Sequence, residues 1–369
     1  MRPTPRTGGL LAAALLVAFL WACGGDSERP ESTPLLFNAE QNRLNAYAPD
    51  QGFRKQTVIQ NRASDPNGRD INGQICFARD GSRRFIAGED TGQPNPPQGW
   101  GYFQLHGEGI GALSATQIGK LVPTYQGSLS NAENYGCGFL RDGRLLTSDI
   151  GNQADGPADG QLVLWFPPLD ISSPRYCKLD IAIGTAGGIY VDEQDRIYVT
   201  SARETPGVYR YTGPFPTSAD AAGGCGMRDG TGAPLADRVS KELFIPADGH
   251  IRTPNAIARS IQGTFYVSSV LNGVIAEYDA EGRFLRRILQ PTGGERLPYP
   301  STGTPLGLGV DSSGNLYYAD IAIVQDGLRI GPGANLGTVR RIRFVNGAPA
   351  APETIDARLN FPDGIGVLQ

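Results

Sequence analysis

An internal repeat limits the fold of this chain more than any other feature. The segment TPLGLGVDSSGNLYYADI from Thr304 aligns with TAGGIYVDEQDRIYVTSA from Thr185, and TPNAIARSIQGTFYVSSV from Thr253 has the same shape. INGQICFARDGSRRFIAGED from Ile71 and ENYGCGFLRDGRLLTSDI from Glu133 make five copies, and a sixth start, FPDGIGVLQ from Phe361, runs into the C-terminus. The aligned starts are Asn72, Asn134, Ala186, Pro254, Pro305 and Pro362, spaced by 62, 52, 68, 51 and 57 residues. Self-similarity at a near-constant period means that one supersecondary unit is stacked on copies of itself.

Each unit reads as an apolar run, a polar turn and a second run ending in small residues. Two further alternating runs follow, clearest in GVIAEYDAEGRFLRRILQ from Gly273. Four strands per unit is the blade of a β-propeller. The sixth start has room for one strand only. The N-terminal segment LLFNAEQNRLNAYAPDQGFRKQTVIQ from Leu35 supplies the other three, with Tyr47 aligned on Tyr278 and Phe53 on Phe284. The expected fold is therefore all-β, a six-bladed propeller over residues 35–369 whose last blade is shared by both ends of the chain. Closure of this kind leaves no free sheet face at either end. Glycine and proline together make 78 of 369 residues, enough for many turns but short of a low-complexity chain.

The first 34 residues fall outside the repeat. Arg2 and Arg6 precede an apolar run from Gly8 to Leu20 that is too short to span a bilayer, which reads as a secretory signal over residues 1–22. Its end, Leu20-Trp21-Ala22-Cys23, resembles the lipobox of bacterial lipoproteins, and the resemblance implies that Cys23 is lipidated and becomes the first residue of the exported chain. An ordinary signal peptide followed by an incidental cysteine is the alternative. Gly24 rather than aspartate after that cysteine implies, for a host with two membranes, the outer one. Residues 23–34 are polar, with proline and serine and no periodicity, as in a flexible tether. Removing residues 1–22 takes two arginines from the 33 basic side chains and nothing from the 37 acidic ones, so the exported chain carries 31 − 37 = −6. With no basic stripe, nucleic acid is excluded as a partner. The membrane is reached through the lipid alone, and a monomer is expected.

Four cysteines remain, Cys76, Cys137, Cys177 and Cys225, an even number in an exported chain and so two disulfides. Zinc-type spacing is absent. Neighbouring blades pack face to face, so a bridge between inner strands joins positions of opposite alternation parity. Cys76 and Cys137 meet that condition on adjacent blades, which leaves Cys177 for Cys225 and ties down the Gly-rich excursion from Thr217 to Ala236.

The residues just after the aligned starts, Gly73, Tyr135, Gly187, Asn255, Leu306 and Asp363, should converge on the central channel, with Asn72 and Asn134 beside them. Carboxylate, amide and carbonyl oxygens from several blades can supply some of the six to eight ligands of a calcium ion. The sequence resembles the family of senescence marker protein, gluconolactonase and luciferin-regenerating enzyme, and more loosely the NHL propellers. The resemblance runs from Ile71 onward and rests on TPNAIA at Thr253, which matches the family's Pro-Asn-Gly calcium motif, and on the strand-turn-strand rhythm. It implies Asn255 as a metal ligand and calcium (Ca2+) as cofactor. Two family carboxylates are missing, replaced by Leu306 and by the neutral Asn72-Gly73-Gln74. Asp363, in a Pro-Asp-Gly of the closing blade, could restore one charge from another side of the ring, or could simply line a wet channel.

His250 lies five residues before Asn255 and is expected near the channel mouth, either as general base for water attack on an ester or lactone or as a backbone-bonded loop histidine. Three connections between second and third strands, from Gly88, Ser148 and Ala319, are long and mark a binding face. Trp100 is expected to wall that site, with Asn134, Tyr135 and Arg252 as further substrate contacts. Neither a GxSxG elbow, an HExxH helix nor a P-loop occurs. Two functions follow as expectations: a metal-dependent lactone or ester hydrolase, or a non-catalytic NHL-like propeller that binds a ligand or a protein on its loop-rich face.

Overall fold

The computed structural model describes residues 34–60, 70–90, 99–122, 134–149, 160–203, 205–219, 225, 235–294 and 297–369. The signal segment, Cys23 and almost all of the tether lie outside these, as do residues 91–98 and 150–159 of two of the long connections. Among the described residues no helix is long and apolar enough to cross a membrane.

Six antiparallel four-stranded sheets form the ring. Blades 1 to 5 comprise residues 70–121, 134–180, 186–246, 254–289 and 305–359. Blade 6 has Pro362–Leu368 as its inner strand, followed outward by Leu35–Glu40, Arg43–Ala48 and Arg54–Gln60. The two ends of the chain pair in register, Leu35 with Leu368 and Phe37 with Gly366. Each inner strand touches the next, and Pro362–Leu368 touches both Pro305–Val310 and Asp70–Phe77, so the circle is complete. The six-bladed closure expected from the repeat is the architecture found.

The repeat's sequence pattern has direct physical causes. Second strands such as Leu316–Asp320 and Ile197–Ser201 are buried at every position because both faces of a blade are covered by its neighbours. Their sequences are therefore continuous apolar and small runs rather than alternating ones. Several turns between paired strands are built on an aspartate. Asp192, Asp279 and Asp311 each accept the backbone N–H of the residue four places on, and the side chains of Arg196, Arg283 and Asn315 there bond back to the same carboxylate. Asp80 and Asp142 make a variant of it, accepting the N–H two places on and bonding the Arg84 and Arg144 side chains. Such side-chain mimicry of a backbone turn is what aspartate offers at these positions.

Packing between blades supplies the core. Phe37, Phe77, Phe85 and Phe103 form a ring chain between blades 6 and 1, and Tyr198, Phe244 and Phe265 do so between blades 3 and 4. Full burial of each such side chain is worth about 1.5–3 kcal/mol. The disulfides are Cys76–Cys137, joining the inner strands of blades 1 and 2, and Cys177–Cys225, as parity required.

Asn72 pairs with Gly88, Asn134 with Asp149 and Pro305 with Asp320. The three long connections thus leave the face at which the inner strands begin, here termed the entry face. The one fully described carries a hairpin of its own, Ile323–Asp326 paired with Arg329–Pro332.

Candidate functional site

A regular fault in the ladders builds the channel mouth. In blades 1 to 5 the register between inner and second strand breaks just after Asn72, Asn134, Ala186, Pro254 and Pro305. On the closing strand it breaks around Asp363, since Gly364 pairs with Ala39 and Pro362 with Glu40. A bulge releases a residue from the ladder and re-aims it. The released residues include Gly73, Tyr135, Gly187, Asn255, Leu306 and Asp363, the six aligned in the sequence.

Asp363 is buried, and its Oδ2 accepts the Gly73 N–H at 2.8 Å. Tyr135 is 7% exposed and packs with Val270, Leu306, Ile321 and Ile323, so side chains of blades 2, 4 and 5 meet over the axis. Burial, and after it the negative charge of Asp363, holds the Tyr135 phenol well above its ordinary pKa, so it stays protonated. Its hydroxyl, the Oδ1 of Asn255 and the Oδ1 of Asn72 are all buried and have no hydrogen-bond partner among the described residues. The Asn255 backbone carbonyl accepts the Thr200 hydroxyl at 2.7 Å. Asn134 donates its Nδ2–H to the Gly99 carbonyl at 2.6 Å, tying blade 2 to the third strand of blade 1.

Other expected site residues lie elsewhere. The His250 ring stacks on Phe284, in the outermost strand of blade 4, at 3.5 Å and 2°. The His250 backbone N–H is accepted by Asp248, and its carbonyl takes the Asn272 amide. These contacts hold it at the blade's rim, because an apolar ring face on the outer strand captures the imidazole before it can turn toward Asn255. Arg252 is exposed, with its backbone N–H on the Ser269 hydroxyl. Trp100 is 0% exposed and sits with Cys76, Cys137 and Trp165 in the core between blades 1 and 2. It is not a wall over the mouth, since a third-strand residue is covered by the adjacent blade. The apolar lining from Val270, Ile321 and Ile323 escaped the sequence reading because these residues follow the second strands and do not belong to the aligned starts. A separate cleft of about 380 Å³ opens on the opposite face between blades 1 and 2, where Arg84 is already held by Asp80 and lies over the Tyr102 ring.

The donor set of the described residues does not fit calcium. Among the described residues the mouth offers one carboxylate, Asp363, with one oxygen committed to the Gly73 N–H, and the position of a second carboxylate is Leu306, packed among apolar groups. Among the described residues no three His, Cys, Asp or Glu side chains are grouped to hold a metal ion. Calcium affinity tracks the number of charged oxygens, and neutral amides alone bind it weakly.

Solved structures similar to this chain include a chain of a nidogen/laminin complex, with a TM-score of 0.57 and 12% identity over 91% of this chain and 98% of that one. A protein of unknown function from Bacteroides caccae gives 0.53 and 11% over 92% and 100%. Luciferin-regenerating enzyme gives 0.53 and 13% over 89% and 92%. The likeness is one of fold. Luciferin-regenerating enzyme belongs to the family that the Thr253 motif resembles, and the propeller expected from that resemblance is the one adopted here. No protein-family model matches the chain, and neither does any curated relative.

Proposed function

We propose that this chain is an exported, lipid-anchored propeller that binds a small organic molecule at the mouth of its channel. One observation carries the reading: the Tyr135 hydroxyl and the Asn255 carboxamide oxygen, on bulges of two blades, are buried without partners among the described residues, beside an apolar cluster drawn from across the ring. Orphaned buried polar atoms are costly, and a few of them on an apolar wall are the make-up of a small-molecule site. The ligand that suits them has an apolar body and N–H or O–H groups for the two oxygens. Binding is favoured over turnover because His250 is engaged at the blade rim and, among the described residues, no second carboxylate accompanies Asp363.

Two observations support other readings. Asn255, kept in its Pro-Asn context, favours a lactone or ester hydrolase. The entry-face hairpin, with Leu328 fully exposed and Ile330 and Leu336 more than half exposed, favours a protein partner. Thermal-shift titration with hexanol, hexylamine and δ-valerolactone, with lactone hydrolysis followed in parallel, separates the three. Binding without turnover, weakened about tenfold by Tyr135→Phe or Asn255→Ala as expected for one lost hydrogen bond of about 1.4 kcal/mol, supports the proposal. Turnover supports the hydrolase. Neither shift nor turnover removes the mouth as a site and leaves the hairpin. The anchor is tested by Cys23→Ser, which should move the chain from the membrane to the soluble fraction and abolish labelling by a radioactive fatty acid.

A further inference from the structure

Gln74 follows the bulged Gly73 on the inner strand of blade 1, and its side chain leaves its own blade. Its Oε1 accepts the Cys137 N–H of blade 2 at 3.2 Å and the Ile189 N–H of blade 3 at 2.9 Å, while Nε2 donates to the Ile189 carbonyl at 2.8 Å. Blades 1 and 3 are not neighbours, so the amide passes the inner strand of blade 2 to reach the third. Gly136 and Gly138 let the strands approach there: a Cβ at either would meet Ile189 side-chain atoms at 3.0 Å.

The other boundaries of the ring are crossed by smaller ties. Ser148 accepts the Gly136 N–H and donates to the Gly187 carbonyl, joining blades 2 and 3. Thr200 donates to the Asn255 carbonyl between blades 3 and 4, and Ser268 to the Leu306 carbonyl between blades 4 and 5. Asp363 takes the Gly73 N–H between blades 6 and 1, and Cys76–Cys137 bridges blades 1 and 2. Between blades 5 and 6 the second strand carries Ala319 at the position of Ser268, and the tie lies further out, where the Tyr47 hydroxyl and Lys55 ammonium both reach Asp356.

We infer that Gln74 is the axial tie of a metal-independent channel, doing with one carboxamide what a cation does by gathering oxygens from several blades. An amide suits the task because it donates and accepts at once, so it satisfies both N–H and C=O groups of strands that a cation, binding oxygens only, leaves half unpaired.

The test uses the full chain in detergent, with wild type compared with Gln74→Ala and Gln74→Met, the latter keeping the length and losing the hydrogen bonds. The wild-type unfolding midpoint should agree within about 1 °C between 2 mM CaCl2 and 2 mM EDTA, since a ligand that does not bind the folded state cannot stabilise it. Both variants should unfold about 4–8 °C lower, because two N–H groups and a carbonyl lose their partner. Hydrogen exchange should show Cys137 and Ile189 amides losing protection in Gln74→Met while that of Gly73 is kept, a readout that holds even if Gln74→Ala fails to fold. A calcium-raised and EDTA-lowered wild-type midpoint, or a Gln74→Met chain matching wild type in midpoint and exchange, overturns the inference.

Discussion

Removing either disulfide should cost about 4 kcal/mol, and the two costs should be nearly equal despite the bridges' different settings. Cys76–Cys137 joins inner strands beside the channel, whereas Cys177–Cys225 ties an excursion to the outer strand of blade 2. The sequence separations are 61 and 48. Chain-entropy loss in the unfolded state goes as the logarithm of loop length, giving about 4.3 and about 4.1 kcal/mol at 25 °C. For a propeller of this size the unfolding entropy is roughly 0.7 kcal/mol per degree, so each loss lowers the midpoint by about 6 °C. The perturbations are the paired substitutions Cys76→Ala with Cys137→Ala, and Cys177→Ala with Cys225→Ala. They are read by calorimetry and by urea unfolding, in which the m-value should rise as the unfolded chain expands. Removing both bridges costs about 8 kcal/mol if the sites are independent, comparable to the whole stability of many domains, and that chain should fail to fold at 37 °C. A midpoint change under 2 °C for one pair and over 10 °C for the other refutes the reasoning, since it would place the stabilisation in native contacts at one bridge.

Gly364→Ala should destabilise by about 3 kcal/mol or more without altering any expected binding residue, because the new Cβ would lie inside contact distance of the Gly73 carbonyl, backbone that cannot swing away. Gly347→Ala, at a positive φ of 77° with open space around it, isolates conformational strain and should cost only about 1 kcal/mol, both being read by urea midpoint. The chain should also lose stability in alkali. Burial first, and then a nearby aspartate, raises Tyr211 and Tyr278, and burial leads also at Tyr317 and Tyr318. A phenol whose folded pKa exceeds its unfolded value contributes stability that is complete below about pH 10 and lost as pH rises through the folded value. Each tyrosine then removes up to about 1.4 kcal/mol per pH unit. Phenolate absorbance at 295 nm should therefore contain a component from these four side chains that rises only with unfolding. Ionisation of all 14 tyrosines in a still-folded chain would show these hydroxyls to be accessible.

How far the sequence could be read depends on which interactions repeat. Blade number, ring closure and cysteine pairing were legible because each is set by alternation and period, and a residue such as Phe361 or Leu35 declares its place by its distance from its counterparts. The turn device recurs in the sequence as well, as an aspartate with an arginine or asparagine four places on in ARDGSRRF, YDAEGRFL and VDSSGNLY, although only a polar turn was read there. The mouth was legible only in position. Alignment located Asn255, Leu306 and Asp363, but the apolar wall that Leu306 joins is made by non-repeating neighbours, Ile321 and Ile323 on its own blade, Val270 on another and Tyr135 on a third. His250 and Trp100 show the same limit. Proximity in sequence to Asn255 placed His250 at the channel, yet Phe284, 34 residues further on, holds its ring at the rim. Trp100 adjoins a long connection and so looked like a wall, while the covering of blade 1 by blade 2 buries it completely. Periodicity reports the scaffold that every blade must share, and binding chemistry sits where blades depart from one another. The departures at Gln74 and Leu306, where the resembled family carries other residues, are therefore the positions at which this propeller's own function should be sought.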